Sequence, residues 1–491
     1  MRVYGKVGNE IIILARPEEE IRQGDYLLLE DVSKKMKMVT QAYEEMYVET
    51  PGLQEEILRD EVMDTSLDII EHDSLNIRGI SHEIRDYKLL RCKIRGSING
   101  AILKPSTTWL PSRVDTKVTR LSLTELFLLV DRNGQRGIEL GSGITREKFQ
   151  IFAEDLDGSL NIVSGKKGSG KSHLSKHLVA GLAKFGAPVV IFDLNDEYGG
   201  LAQTRSGDLS PLSDNIFRLV PGRSLRFTMK NIGLNAIHSV FQHALDLPAA
   251  SLREFTRIWK YLDERNSLNI DSLGTTIENW RCNEFVRDAL LTRYHTLCST
   301  GLIGDNDNSA SLEDIINGLS HGGLIIISLA KISSLTRRIA VEVILSNLVG
   351  LLESERIRPV FLFAEESHLY LRETYWDDIV TRMRHFGMFT TFITNQPDAI
   401  PNSIYRQADN IFLFNFTNDS DIELVSKASM VDAETVKSIV RTLPPRSCLS
   451  LGKMVNDLPV ILDIKESNWM SLGETKLFFR EPMRITSSTK Y

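Results

Sequence analysis

Two textures of hydrophobic patterning divide the chain. From residue 1 to about 150, short apolar runs are interrupted by glycine, proline and charged turns: "MRVYGKVG", "EIIILARP", "GDYLLLED", "YKLLRCKIRGSI" and "GAILKPST". Strand-length runs spaced in this way predict a small β-barrel or sandwich. From about residue 158 the apolar runs become continuous, in "LNIVSG", "PVVIFDLN", "GLIIISLA", "PVFLFAEE", "MFTTFITN" and "NIFLFNF". Such strands are covered on both faces, as in the parallel sheet of an α/β fold. A helix is predicted from Ser169 to about Phe185. Helical spacing also marks "SLREFTRIWKYLDERNSL" and "NEFVRDALLTRYHTL", and "PPRSCLSLGKMVNDLPVILDI" predicts a terminal hairpin. The expected organisation is a β-barrel-like domain over 1–150, an α/β core over 151–229 and 311–464, a helical-bundle insertion over 230–310, and a polar tail over 465–491. That tail is expected either to dangle or to pack on a neighbouring subunit.

Composition narrows the class. The chain has 491 residues, 42% hydrophobic and 25% charged, with a net charge of -7. This is an ordinary globular composition. Gln54 to Asp73 alone carries eight acidic side chains against one arginine, so the remainder is close to neutral. A local basic channel for phosphates is compatible with that balance, because binding depends on where charges sit. Cys92, Cys282, Cys298 and Cys448 are scattered with no CxxC pair, which argues for a reducing compartment and against a zinc site. No apolar run reaches the ~18 residues of a membrane helix, and the N-terminus shows no signal-peptide pattern. A cytoplasmic protein without a membrane partner is expected.

The candidate chemistry begins at "GKKGSGKS": Gly165, Lys166, Lys167, Gly168, Ser169, Gly170, Lys171 and Ser172 fit G-x-x-x-x-G-K-[ST]. An apolar strand precedes the run and a helix starts within it. Glycines let backbone wrap a phosphate, and the helix N-terminus presents N–H groups and a positive dipole end. Lys171 can reach β- and γ-phosphates, and Ser172 can ligate Mg²⁺. In "RPVFLFAEESHLYLRE", a buried-type strand ends in Glu365 and Glu366. Carboxyl ends of parallel strands gather at one edge, which makes Glu365 the candidate metal-shell acid and Glu366 the candidate base for water. "MFTTFITNQP" ends the next strand in Thr394, Asn395 and Gln396, which can either sense a γ-phosphate or make a turn. Arg382 and Arg384 precede that strand and can act either as arginine fingers from an adjacent subunit or as a solvated face. Asp193, Glu197 and Tyr198 fit equally a site, a contact to a base, or a turn.

Taken in order, "VSGKKGSGKS", "IFDLNDEYGGL", "FLFAEESHLY", "RMRHFGMFTTFITNQPDAIP", "QADNIFLFNFTNDSDIELVS" and "LPPRSCLSLGKM" resemble the HerA/FtsK family of RecA-like DNA-translocating ATPases, and the HerA branch most closely. The resemblance covers about residues 135 to 465. It implies a RecA-like P-loop NTPase core with an N-terminal β-barrel and a helical insertion. It further implies ATP and Mg²⁺ as cofactors, a homo-hexameric ring on double-stranded DNA, and a NurA-like nuclease partner of the archaeal type. Carried onto this sequence, Lys171 and Ser172 would hold phosphate and Mg²⁺, with Glu365 where the family commonly has aspartate. Glu366 would activate water, Gln396 would sense the γ-phosphate, and Arg382 or Arg384 would act in trans. Arg146, in "GITREKF", would supply another nucleotide-contacting arginine.

Three other readings stand beside this one: a non-translocating P-loop enzyme such as a small-molecule kinase, a secretion or conjugation motor of the same superfamily, and a nucleotide-binding scaffold ring with weak turnover. For DNA contacts, "TRSGDLSPLSD" and "KISSLTRR", with Lys331, Arg337 and Arg338, can be either pore loops or a solvated helix start.

Overall fold

The computed structural model describes residues 1–49, 52, 54, 55, 57, 85–100, 102–105, 109–130, 132, 134–304, 311–370, 382–416, 418–428, 431–470 and 472. Most of the acidic excursion lies outside these residues. The chain folds into two compact units, residues 1–174 with 394–465, and residues 175–393 with 466–491.

The first unit opens with a curled, barrel-like antiparallel sheet. Its strands are β1 (Arg2–Val7), β2 (Glu10–Ala15), β3 (Tyr26–Asp31), β4 (Met36–Tyr47), β5 (Lys88–Asn99), β6 (Ile102–Lys104) and β7 (Thr116–Leu121). They run in the order β1-β2-β5-β4-β3-β7, with β6 on β5. Alternation along these strands turns Ile11, Ile13, Leu27, Leu29, Met38, Leu90, Cys92 and Ile94 into one buried cluster. The apolar runs marked β1, β2, β3, β5 and β6. They did not mark β4 and β7, whose "MKMVTQAYEEMY" and "TKVTRL" mix polar residues among the apolar ones.

The same unit holds β8 (Gly137–Gly143), β9 (Lys148–Phe152), β10 (Asn161–Ser164), β16 (Asn410–Phe414), β17 (Ser447–Gly452) and β18 (Val460–Ile464), ordered β10-β16-β17-β18-β8-β9. The β10–β16 pair is parallel and the rest are antiparallel, so the predicted terminal hairpin is β17–β18. Polar ties link the two sheets: the Tyr26 hydroxyl and the Gln41 amide both donate to the Pro459 carbonyl. Lys93 Nζ lies 2.8 Å from Glu434, and Arg95 bonds Asp432 and Thr435, on the helix Ala433–Thr442 and its cap.

The second unit is the parallel sheet that the continuous apolar runs predict. β11 (Pro188–Asp193), β12 (Ile216–Leu219), β13 (Gly323–Ser328), β14 (Val360–Glu365) and β15 (Met388–Thr394) run in the order β12-β13-β11-β14-β15. All of these pairings are parallel. β12 escaped the sequence reading because it is four residues long and exposes Phe217 and Arg218. Helices Met229–Ser239, Ala249–Asp263, Ile270–Asn279 and Glu284–Ser299 follow β12. Their core includes Phe241 and Phe255, with ring centroids 4.6 Å apart, together with Ile258, Trp259 and Leu262. The first residues of the polar tail pack on their own chain. Met470 N–H donates to Gln203 O, and the Trp469 ring lies 5.3 Å from that of His177.

Candidate functional site

The strand β10 is buried along its whole length and passes directly into Gly165. The helix Lys171–Lys184 begins at the end of the loop. Its Leu174, Leu178, Val179 and Leu182 are buried, which anchors the helix and fixes where its N-terminus points. Gly168 has φ +77, a left-handed conformation that glycine adopts without penalty, and a Cβ there would meet nothing within 4 Å. Gly170 has φ +119, and its Cβ would lie 2.9 Å from Arg446 Cα and 3.0 Å from the Phe414 ring. A side chain at Gly170 therefore collides with both neighbours. Lys166, Lys167 and Gly168 are exposed, whereas Gly165, Ser169 and Gly170 are buried.

Lys171 is 8% exposed and folds back over the loop, its Nζ donating to Gly165 O at 2.6 Å and Lys166 O at 3.1 Å. The loop is thus closed around its own ammonium group, with three lysines and no acid among its eight residues. Ser172 is half-buried in the first turn of the helix. The buried Ser169 hydroxyl finds no hydrogen-bond partner among the described residues. A concentrated positive charge beside a helix N-terminus and a buried hydroxyl without a partner suit a polyphosphate.

Two chain segments brace the loop. Gly165 N–H donates to Thr394 O, so the end of β15 meets the start of the loop. Gln396 follows at an exposed turn, its N–H donating to Thr394 Oγ1 at 3.0 Å. On the other side, Lys166 N–H donates to Asn415 O, and Arg446 N–H donates to Ser169 O at 2.8 Å. The Asn415 amide in turn donates to Leu443 O at 2.9 Å. Sequence reasoning missed Asn415 and Arg446. Their signal was weak, since Asn415 follows β16 in "FNFTND" and Arg446 precedes β17 in "LPPRS", with no catalytic pattern of their own.

In the second unit, β14 carries five buried apolar residues into Glu365, which is 3% exposed. Its Oε2 is buried and finds no partner among the described residues, as do the Tyr198 hydroxyl and the Ser367 hydroxyl. Burial pushes the Glu365 carboxyl well above the ordinary carboxylate range, and Glu197 and Asp193 nearby push it further the same way. A buried, unpartnered carboxylate oxygen among other acids is the environment a divalent cation would relieve. Tyr370, which the sequence reading did not single out, donates its hydroxyl to Glu365 O at 2.7 Å and stacks edge-on against Phe192.

Glu366 leaves the strand in a left-handed conformation, φ 44 and ψ 43, while its N–H still donates to Ile393 O at 2.7 Å. A non-glycine residue held there costs on the order of 1–2 kcal/mol, and such strain concentrates at functional turns. The turn separates the two carboxyls, leaving Glu365 buried and Glu366 half-buried with an oxygen 3.6 Å from His368 Nδ1. Asp193 resolves differently. Its two oxygens accept the N–H groups of Glu197 and Tyr198, each at 3.0 Å, and Tyr198 is fully buried. The segment makes a turn that also keeps Asp193 and Glu197 beside Glu365.

The arginines lie elsewhere. Arg382 and Arg384 are exposed in the turn that leads into the start of β15, and Arg382 Nη2 is 3.8 Å from Glu353. Because β14 and β15 are parallel, with Val360 opposite Met388 and Glu365 opposite Ile393, these arginines sit at the opposite strand end from Glu365. That is a separation of about 20 Å over seven residues. Arg146, at φ +62, is exposed in the β8–β9 turn, and β16, β17 and β18 lie between that hairpin and β10. Of the pore-loop candidates, Lys331 is exposed. Arg338 is instead committed to the Ala244 carbonyl at 3.2 Å, at the end of a π-helical turn.

A parallel sheet, a strand–phosphate loop–helix unit and a strand ending in acids are the elements of the RecA-like P-loop NTPase fold. Residues 161–348 match the family described as Helicase HerA, central domain. The match takes in β10, the phosphate loop and most of the second unit's sheet, part of the stretch that resembles HerA by its motifs. No curated protein matches the chain. Among solved structures, VirB4 of Thermoanaerobacter pseudethanolicus shares 15% identity with a TM-score of 0.52, over 68% of this chain and 98% of that one. The bacterial conjugative coupling protein TrwBΔN70 gives 15% identity and a TM-score of 0.50, over 69% and 96%. TrwB in complex with the non-hydrolysable ATP analogue ADPNP gives 15% and 0.50, over 70% and 97%. At these identities the likeness is one of fold.

Proposed function

We propose that this chain is an ATP-hydrolysing motor of the HerA type that assembles as a hexameric ring and translocates on double-stranded DNA. The observation that carries the reading is the loop Gly165–Ser172, closed on Lys171 within the stretch that matches the HerA central domain. The solved complex of TrwB with ADPNP, a protein of the same fold, supports ATP as the nucleotide. In this reading the loop's backbone and Lys171 bind the phosphates, and the ammonium exchanges its loop carbonyls for phosphate oxygens. Ser172 and Glu365 hold Mg²⁺, which when bound neutralises charge on the phosphates. Glu366 would orient water and take its proton, and Gln396 would sense the γ-phosphate.

The opposite-edge placement of Arg382 and Arg384 favours action of one of them on a neighbouring subunit's nucleotide, and Arg146 would supply another nucleotide-contacting arginine. A partner nuclease of the NurA type and a role in DNA end processing complete the proposal.

The test is ATP turnover with and without linear duplex DNA. Stimulation by DNA is expected, with Lys171→Ala losing nucleotide binding and Glu366→Gln retaining binding but losing turnover. Turnover indifferent to duplex DNA would leave a kinase or a nucleotide-binding scaffold in its place. Full turnover in both variants would remove the site assignment.

A further inference from the structure

Arg446 has no role in the reading above, and its surroundings are unusual. It follows "LPP" and sits at φ +68, a left-handed conformation that a residue with a Cβ adopts at a cost and glycine does not. Its backbone is fixed on both sides, the N–H donating to Ser169 O at 2.8 Å and the carbonyl accepting from Ile464 N–H at 2.9 Å. Its Cα and the start of its side chain cover the last glycine of the phosphate loop: a Cβ on Gly170 would lie 2.9 Å from Arg446 Cα and 3.5 Å from its Cγ. Pinning a strained backbone against the loop leaves the side chain exposed rather than packed. A guanidinium based at this point adds a fourth cation beside Lys166, Lys167 and Lys171, and it matches phosphate geometry better than an ammonium does.

We propose that Arg446 is a nucleotide-binding residue supplied in cis, its guanidinium contacting the phosphates of the nucleotide that the Gly165–Ser172 loop holds. The proposal rests on the nucleotide-binding reading above. It adds a cation from outside the loop motif, and it explains why an arginine occupies a backbone position that favours glycine. Strained residues that persist where a cheaper one fits mark functional positions.

The test is titration of the full chain with a fluorescent ADP analogue in Mg²⁺, read as affinity, alongside thermal unfolding of the nucleotide-free protein. Arg446→Gly relieves the left-handed backbone and removes the charge. Its melting temperature is expected to rise while affinity weakens about tenfold, the scale of one charge-assisted hydrogen bond to a partly exposed group. Arg446→Met keeps the stem against Gly170 and the strained backbone, and is expected to lose as much affinity with little change in melting temperature. Affinity within twofold of the parent protein in Arg446→Met overturns the proposal. Lys171→Ala distinguishes the two levels. If it abolishes binding while Arg446→Met stays within twofold of the parent, only the Arg446 assignment fails, and if Lys171→Ala also binds normally, the nucleotide-binding reading itself fails.

Discussion

Replacing Glu365 by glutamine should make the nucleotide-free protein more stable at alkaline pH, although it removes a residue assigned to the site. Glu365 is 3% exposed, its Oε2 has no hydrogen-bond partner among the described residues, and Asp193, Glu197, Glu366 and the Tyr198 hydroxyl surround it. Its carboxyl is held well above the ordinary value of 4.5, first by burial and then by Glu197 and Asp193. The folded state therefore binds this proton more tightly than the unfolded chain does. Its stabilising contribution is complete below about pH 4.5 and is lost as pH rises toward the folded value, at up to ~1.4 kcal/mol per pH unit. Glutamine has the same shape and no charge to bury. Glu365→Gln should match the parent within about 0.5 kcal/mol at pH 4.5–5 and exceed it at pH 8 by up to ~1.4 kcal/mol for each pH unit between the ordinary and the folded value. Urea unfolding followed by circular dichroism at both pH values, without nucleotide or Mg²⁺, measures the difference. An identical pH dependence in the two proteins would refute the electrostatic reasoning. Added Mg²⁺ with ADP should then stabilise the parent more than the variant. Equal stabilisation would remove Glu365 from the metal shell while leaving the burial argument intact.

Three further outcomes follow from the packing. Lys93→Met, which takes from Glu10 its partner at 2.5 Å, leaving it Arg91 at 2.8 Å, and cuts the tie to Glu434 at 2.8 Å, should cost about 1–2 kcal/mol in chemical unfolding. That is less than a fully buried pair costs, because Glu434 is largely exposed. Gly200→Ala places a Cβ 2.1 Å from Met470 O, so limited proteolysis should cut the Glu466–Met470 segment faster than in the parent chain. With a thiol reagent at pH 8, Cys282 and Cys298 should react in the folded protein, and Cys92 and Cys448 only after unfolding. Both slow thiols are buried, which pushes Cys448 up to about 12 and Cys92 higher still.

Local patterning determined much of this protein. Continuous apolar runs predicted β10, β11, β13, β14, β15 and β16 because a strand covered on both faces has no polar side to show. The phosphate loop was legible because its chemistry demands glycines, a lysine and a hydroxyl at fixed spacing between a strand and a helix. The pairing of Glu365 with Glu366 was also visible, since carboxylates at the end of a buried run conflict with burial. What those residues became was decided by long-range contacts. Glu365 and Glu366 are chemically identical in sequence, and only the register with Ile393 and the left-handed turn bury one carboxyl and half-expose the other. Asp193 reads only as a strand-end acid, and the structure shows its oxygens accepting the N–H groups of Glu197 and Tyr198 beside Glu365. Arg382 and Arg384 lie close in sequence to β15, yet strand direction sends them to the edge opposite Glu365. Arg446, about 275 residues after the loop it covers, carries no motif of its own. Spacing along a chain records which groups a local turn or helix can bring together. Groups joined by sheet register and by packing across hundreds of residues meet only in the folded protein.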